Sequence, residues 1–270
     1  MRKVILAVLL LGACRLYAQP VKDLGKYSYL CFAVNNNKTI NGTCFFYKSN
    51  KNLYLVTNYH VFYGADILNH TRMLNVDTLR ISYTSTKTNE QKFFKIANRT
   101  DSVQYFNHYD SPDLMAKKIV TVPDDMDVNC INDLVEPSFF KEKPESVVVF
   151  GYPALMNKIK AADAVDVQKC YLTGNIGSGD VNSFDQALST CCDQKNLRKV
   201  KRKIDGKEFQ MQMTALPGFS GSPVYGKFYK NGTYQYKFIG VMFASDIVNN
   251  TSVAINGKTF ADYMKTCSME

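Results

Sequence analysis

The sequence predicts an all-β protein of two antiparallel halves with a closing C-terminal helix. Three observations carry this. Short runs rich in aromatic and apolar residues recur along the chain, bounded by Asn, Lys, Gly or Pro, which is how antiparallel strands and their turns read. No strand-helix-strand rhythm appears, so a doubly wound parallel sheet is not expected. Near the end, Phe260, Tyr263 and Met264 fall on a helical period. A length of 270 residues suits one large domain or two small ones, and 46% hydrophobic with 21% charged residues excludes a disordered chain.

In order, strands are expected at residues 27–34, 42–47 and 53–57, separated by the polar turns Asn35-Asn36-Asn37-Lys38 and Asn50-Lys51-Asn52. The third runs into Asn58-Tyr59-His60-Val61-Phe62 and a loop or short helical turn. Further strands are expected at 79–83, 91–96 and 103–109, and at 114–119 after the turn Asp110-Ser111-Pro112-Asp113. Residues 123–143 read as the junction between the halves. The second half opens at Ser146–Phe150, closed by Gly151-Tyr152-Pro153, and continues at 164–172 before a loose Gly174–Asp180. Residues 181–207 fit a hairpin tip or a short helix with a basic loop. Strand 209–214 is followed by a hairpin, 223–230 and 234–244, across Asn231-Gly232, a strong turn pair. The expected division is residues 19–130, 131–256 and a helix within 257–270.

The first eighteen residues read as a signal peptide: Arg2 and Lys3, an apolar run Val4–Leu11, and Leu16-Tyr17-Ala18 before Gln19. The run is too short to span a membrane. Leu11-Gly12-Ala13-Cys14 also resembles a bacterial lipoprotein box, which would tether the protein through Cys14 instead of releasing it. The expected location is secreted or periplasmic, with a membrane-anchored lipoprotein as the alternative and no transmembrane span. The formal charge of +9 is concentrated in Lys195–Lys207, a run read as a solvated loop; it lacks the interleaved aromatics of a nucleic-acid surface, so no nucleic-acid partner is expected. An exported chain can keep disulfides. Of the eight cysteines, Cys31 and Cys44 flank a turn and could face each other across a hairpin, Cys191 and Cys192 would pair with distant partners, and Cys130, Cys170 and Cys267 are unassigned.

The stretch Leu216-Pro217-Gly218-Phe219-Ser220-Gly221-Ser222-Pro223-Val224 holds a serine between two glycines. Such a stretch serves equally as a surface turn or as a site exposing one hydroxyl amid convergent backbone N–H groups, as a nucleophile and oxyanion hole need. His60 at a strand end, Asp113 before a strand and Ser220 in this turn occur in the order His, Asp, Ser. Asp110 and Ser222 compete with Asp113 and Ser220; His70 and His108 lack a preceding strand block.

Several blocks carry a family resemblance: Gly42-Thr43-Cys44-Phe45, Leu55-Val56-Thr57-Asn58-Tyr59-His60-Val61, Pro112-Asp113-Leu114-Met115-Ala116, Phe150-Gly151-Tyr152-Pro153, Gly218–Val224 and Phe238-Ile239-Gly240-Val241. Across about residues 28–245 the chain resembles the trypsin/chymotrypsin-fold serine proteases, closest to the minimal bacterial secreted or periplasmic members. The resemblance implies two six-stranded antiparallel β-barrels of the chymotrypsin type with the active site between them. It implies His60, Asp113 and Ser220 as a catalytic triad, the N–H groups of Gly218 and Ser220 as the oxyanion hole, a polypeptide substrate, and no metal or cofactor. It suggests a neutral or apolar substrate pocket at Thr214, Ala215, Met242 and Phe243. Phe219 departs from the family's Asn or Asp and would put a bulky residue inside the oxyanion turn. The expected function is a secreted serine endopeptidase; the alternative is a catalytically weak or inactive relative that binds peptides or a partner protein.

Overall fold

The computed structural model describes residues 21–35, 38–63, 78–97, 112–154, 156–157, 159–161, 164–165, 167–177, 184–188, 198–202, 206–246 and 249–268. The signal peptide, Cys14, His70, His108, Asp110, Cys191, Cys192 and strand 103–109 expected from sequence lie outside these residues.

A 3-10 helix, Val21–Tyr27, leads into β1 (Tyr29–Asn35), β2 (Lys38–Ser49), β3 (Asn52–Thr57), a short helix α1 (Tyr59–Tyr63), β4 (Thr78–Thr84), β5 (Gln91–Ala97) and β6 (Met115–Ile119). These strands form an antiparallel 6-stranded sheet in the order β5-β4-β1-β2-β3-β6. The sheet curls without closing among the described residues, and its two edges approach where Lys117 Nζ donates to Ala97 O at 3.4 Å. Two 3-10 turns, Ile131–Leu134 and Pro137–Lys141, cross to the second half.

The second half comprises β7 (Ser146–Gly151), β8 (Ile159–Ala161), β9 (Ala164–Val165), β10 (Cys170–Ile176), β11 (Phe184–Leu188), β12 (Arg198–Arg202), β13 (Glu208–Gln212), β14 (Pro223–Lys230), β15 (Thr233–Asp246), β16 (Thr251–Asn256) and the helix α2 (Gly257–Ser268). Six of these strands close a barrel in the order β10-β13-β16-β15-β14-β7, while β8-β9 and β11-β12 are two-stranded ribbons. The β14–β15 hairpin turns at Asn231 (φ 52°) and Gly232 (φ 79°), the left-handed pair its sequence demands.

Two elements differ from the sequence expectation. The strand expected at 164–172 is divided between β9, which pairs with β8, and β10, which runs on to Ile176 because Cys170–Ile176 is claimed by both β7 and β13. Strand β16 was not expected at all. Its middle four residues are buried and it is held between β13 and β15, so ladder pairing rather than a local signal makes it a strand.

Each half has its own apolar cluster, and a third lies between them, where Leu24, Phe45 and Leu114 meet Tyr225, Phe238 and Phe243. Helix α2 closes this shared core with Phe260, Tyr263, Met264 and Cys267, spaced to lie on one face. The ring of Phe260 sits 4.9 Å from that of Phe238 and 5.8 Å from that of Phe45, so the helix clamps both halves.

The expected disulfides are corrected: among the described residues Cys31, Cys44, Cys130 and Cys170 are free thiols. Cys31 lies opposite Gly42, and Cys44 opposite Tyr29, so the two cysteines are diagonal rather than facing. The two thiols neighbour each other across that diagonal without forming an S–S bond. Cys44 Sγ instead donates to Tyr29 O at 3.6 Å, and burial pushes its titration well above the usual thiol range. No described helix is long and apolar enough to cross a membrane.

Candidate active site

Strand pairing brings His60 and Asp113 together. β3 and β6 are antiparallel with Thr57 opposite Met115, so the residues just after β3 and just before β6 share one end of the pair. There Asp113 Oδ2 lies 2.6 Å from His60 Nδ1, and Asp113 Oδ1 accepts the His60 backbone N–H at 3.0 Å. The two side chains are 15% and 5% exposed, respectively. An ionised carboxylate only accepts, so in the neutral imidazole the ring proton belongs on Nδ1 and the lone pair on Nε2.

A third bond braces the pair. Asn58, fully buried at the entrance to α1, donates its Nδ2 to Asp113 O at 2.7 Å. Sequence reasoning assigned Asn58 no role of its own; a polar residue closing the apolar run Leu53–Thr57 was the available signal. Val61 packs on Gly42, which fixes α1 against β2.

The Ser220 turn is bonded to β2, the strand next to β3, and to β15. Thr43 N donates to Ser220 O at 2.8 Å, and Gly221 N to Met242 O at 2.9 Å, so the turn is bonded to both halves. Gly221 (φ +85°) permits this: a Cβ there would lie 2.0 Å from Thr43 O and 2.4 Å from Thr57 Oγ1. At Gly218 (φ +103°) a Cβ would lie 2.2 Å from Tyr152 O, so the Gly-Tyr-Pro turn forms the other wall. Among the described residues, the N–H groups of Gly218 and Ser220 donate to no backbone carbonyl. Nor does a hydrogen bond join Ser220 Oγ to His60 among them.

Phe219 does not crowd this turn. It is 1% exposed and packs over Gly151 with Val149, Met213 and Met242, inside the second barrel. The residue that departs from the family pattern is a core anchor.

Of the four residues read as a pocket, Met242 and Phe243 are 2% and 1% exposed and belong to apolar clusters. Ala215 N is bonded to Ser245 Oγ at 3.2 Å and Ser252 Oγ at 3.1 Å, and Thr214 Oγ1 is hydrogen-bonded to Asn250 Oδ1. These hydroxyls beside Ala215 carried no recognised signal in the sequence. No group of three or more His, Cys, Asp or Glu side chains suited to a metal ion occurs among the described residues.

Two antiparallel β-structures, with a His–Asp pair held at one end of β3 and β6, define a double-β-barrel fold of the chymotrypsin type. The chain belongs to the trypsin-like peptidase domain family, whose model matches residues 42–227. No curated protein matches the sequence closely enough to count as a relative. Among solved structures, an inactive form of Rv3671c from M. tuberculosis H37Rv is similar at 16% identity and TM-score 0.49, over 91% of this chain and 89% of that one. The serine endoprotease from Yersinia pestis is similar at 14% identity and TM-score 0.48, over 91% and 64%. Catalytically active tobacco etch virus protease complexed with product is similar at 14% identity and TM-score 0.46, over 90% and 78%.

Proposed function

We propose that the chain is an exported serine endopeptidase that cleaves polypeptides through an acyl-enzyme on Ser220. His60 Nε2 takes the Ser220 proton as Oγ attacks the scissile carbonyl, then returns it to the leaving amine. Asp113 keeps the Nδ1 proton in place and stabilises the imidazolium. The carbonyl oxygen, now an oxyanion, is received by the N–H groups of Gly218 and Ser220. Water then repeats the sequence on the ester and frees Ser220.

The observation that carries this reading is the bonding of the Ser220 turn to Thr43, whose carbonyl also accepts Thr57 Oγ1 at 2.8 Å, three residues before His60. That bonding, through β2 to its neighbour β3, supports reading Ser220 as the partner of the His–Asp pair. The residues read as a pocket, Thr214, Ala215, Met242 and Phe243, together with Ser245 beside Ala215, are all uncharged. They therefore favour an uncharged substrate residue, since a lone charge would be buried there without a partner. The leader-like residues 1–18 support export to the periplasm or beyond, with lipid attachment at Cys14 as the other fate of the same segment.

Labelling with a fluorophosphonate probe tests the reading. The processed protein is expected to label at Ser220, and Ser220→Ala to abolish labelling. Absence of serine-dependent labelling refutes it. Peptide-library cleavage then reports the preferred residue.

A further inference from the structure

The turn around Ser220 spends its carbonyls and its N–H groups unequally. Leu216 O accepts from Phe219 N (3.2 Å), Pro217 O from Ala154 N (2.7 Å), Phe219 O from Ser222 N (3.0 Å) and Ser220 O from Thr43 N (2.8 Å). Gly218 O accepts from Thr43 Oγ1 at 2.8 Å. Five successive carbonyls are thus held in place. Those of Gly218 and Ser220 are held by one residue of the other half of the molecule.

Thr43 is itself fully buried and fixed. Its carbonyl accepts Thr57 Oγ1 at 2.8 Å, and its own Oγ1 accepts Tyr152 N at 3.3 Å while donating to Gly218 O. The hydroxyl can serve as acceptor for Tyr152 whichever way its proton points; the proton is directed at Gly218. That carbonyl matters because Gly218, with φ +103°, has the rotational freedom of glycine. Rotation of the peptide joining Gly218 to Phe219 would shift the peptides on either side of it, which carry the N–H groups of Gly218 and Ser220. Thr43 Oγ1 opposes that rotation, and Thr43 N holds the peptide on the other side of Ser220.

We propose that Thr43 is the positioning residue of the oxyanion site. Its hydroxyl locks the Gly218–Phe219 peptide so that the N–H groups of Gly218 and Ser220 converge before substrate arrives. Thr43 acts through the turn and not on the substrate. The main-chain carbonyl of the same residue accepts from Thr57 Oγ1 on the strand leading to His60, so the nucleophile turn and the histidine strand are both bonded to one residue, the first through its side chain and the second through its backbone. This rests on the reading of Ser220 as nucleophile.

The test compares wild type, Ser220→Ala, Thr43→Val, Thr43→Ala and Thr43→Ser in the processed full-length chain, with circular dichroism to confirm folding. Fluorophosphonate labelling of wild type but not Ser220→Ala establishes the nucleophile independently. Thr43→Val keeps the shape and the backbone N–H but loses the hydroxyl. It is expected to lower kcat about 10- to 100-fold, as small misplacements of catalytic groups do, with KM changed less than about twofold. Inhibition by a peptide aldehyde, whose hemiacetal oxygen uses the same donors, should weaken by the same factor. Thr43→Ser should recover kcat to within about threefold of wild type. Thr43→Ala supplies the comparison if the valine variant does not fold. A labelled wild type with unchanged kcat and aldehyde affinity in Thr43→Val or Thr43→Ala refutes the proposal. So does an equal loss in Thr43→Ser, or kcat and KM deteriorating together. An unlabelled wild type overturns the Ser220 reading and this proposal with it.

Discussion

Replacing Asp113 by Asn preserves the size of the side chain and exchanges one acceptor oxygen for an NH2 donor. The native carboxylate meets two donors, His60 N at 3.0 Å and Nδ1 at 2.6 Å, in a site where the side chain is 5% exposed and water cannot substitute. If the Asn oxygen keeps the backbone N–H, its NH2 faces Nδ1, and the ring must move its proton to Nε2. The imidazole can then no longer accept the Ser220 proton. If instead the oxygen faces Nδ1, the NH2 opposes a buried backbone N–H, at a cost of about 1–3 kcal/mol. The first arrangement, with the wrong tautomer, is therefore favoured. The same change in a serine protease's Ser-His-Asp triad lowers kcat about 10⁴-fold, which corresponds to about 5 kcal/mol of barrier, and a loss of that size is expected here. Steady-state hydrolysis of a peptide substrate measures it, with denaturant unfolding as a control for stability. A folded Asp113→Asn protein with kcat within about tenfold of wild type would refute the assignment of Asp113 as orienting partner.

Three further outcomes are expected. Phe219→Asn restores the family's residue but empties a core position and buries an amide, so it should destabilise by at least the about 3–5 kcal/mol typical of truncating a buried Phe; an unchanged urea midpoint contradicts the core-anchor role. Asn58→Ala removes the 2.7 Å bond to Asp113 O and should cost about 1–3 kcal/mol of stability together with a fall in kcat; equal kcat and stability would show that Asp113 needs no such brace. Asp125 is held well below the usual carboxylate range, first by Lys92 and then by the hydroxyls of Ser85 and Tyr83. Because its folded value lies below its unfolded one, its stabilisation is full above about pH 4 and is lost as pH falls through the folded value. The stability difference between wild type and Asp125→Asn should therefore shrink on acidification from about pH 7 to about pH 2, and a constant difference would count against it.

Much of the fold was legible because strand and turn signals are local. Asn231-Gly232 needs positive φ at both residues and therefore announces its hairpin, and the Phe260, Tyr263, Met264 spacing announces α2. Strand β16 was not legible, since its polar start and short apolar middle become a strand when β13 and β15 pair on either side. The cysteines misled for a similar reason. Their spacing suggested a bridge, but register places Cys31 and Cys44 on a diagonal.

The sequence by itself determined the candidate residues. A histidine ending a strand, an aspartate preceding one and a serine between glycines are chemical signals readable along the chain. The tertiary structure alone decided how they are held. The pairing of Thr57 with Met115 puts His60 beside Asp113, and Asn58 braces the pair through a carbonyl 55 positions away. Thr43 reaches the Gly218 carbonyl 175 positions on, and Phe219 turns inward over Gly151. Hydrogen bonds and core contacts between residues so far apart depend on strand register and on how the two halves meet. No local pattern encodes either of these.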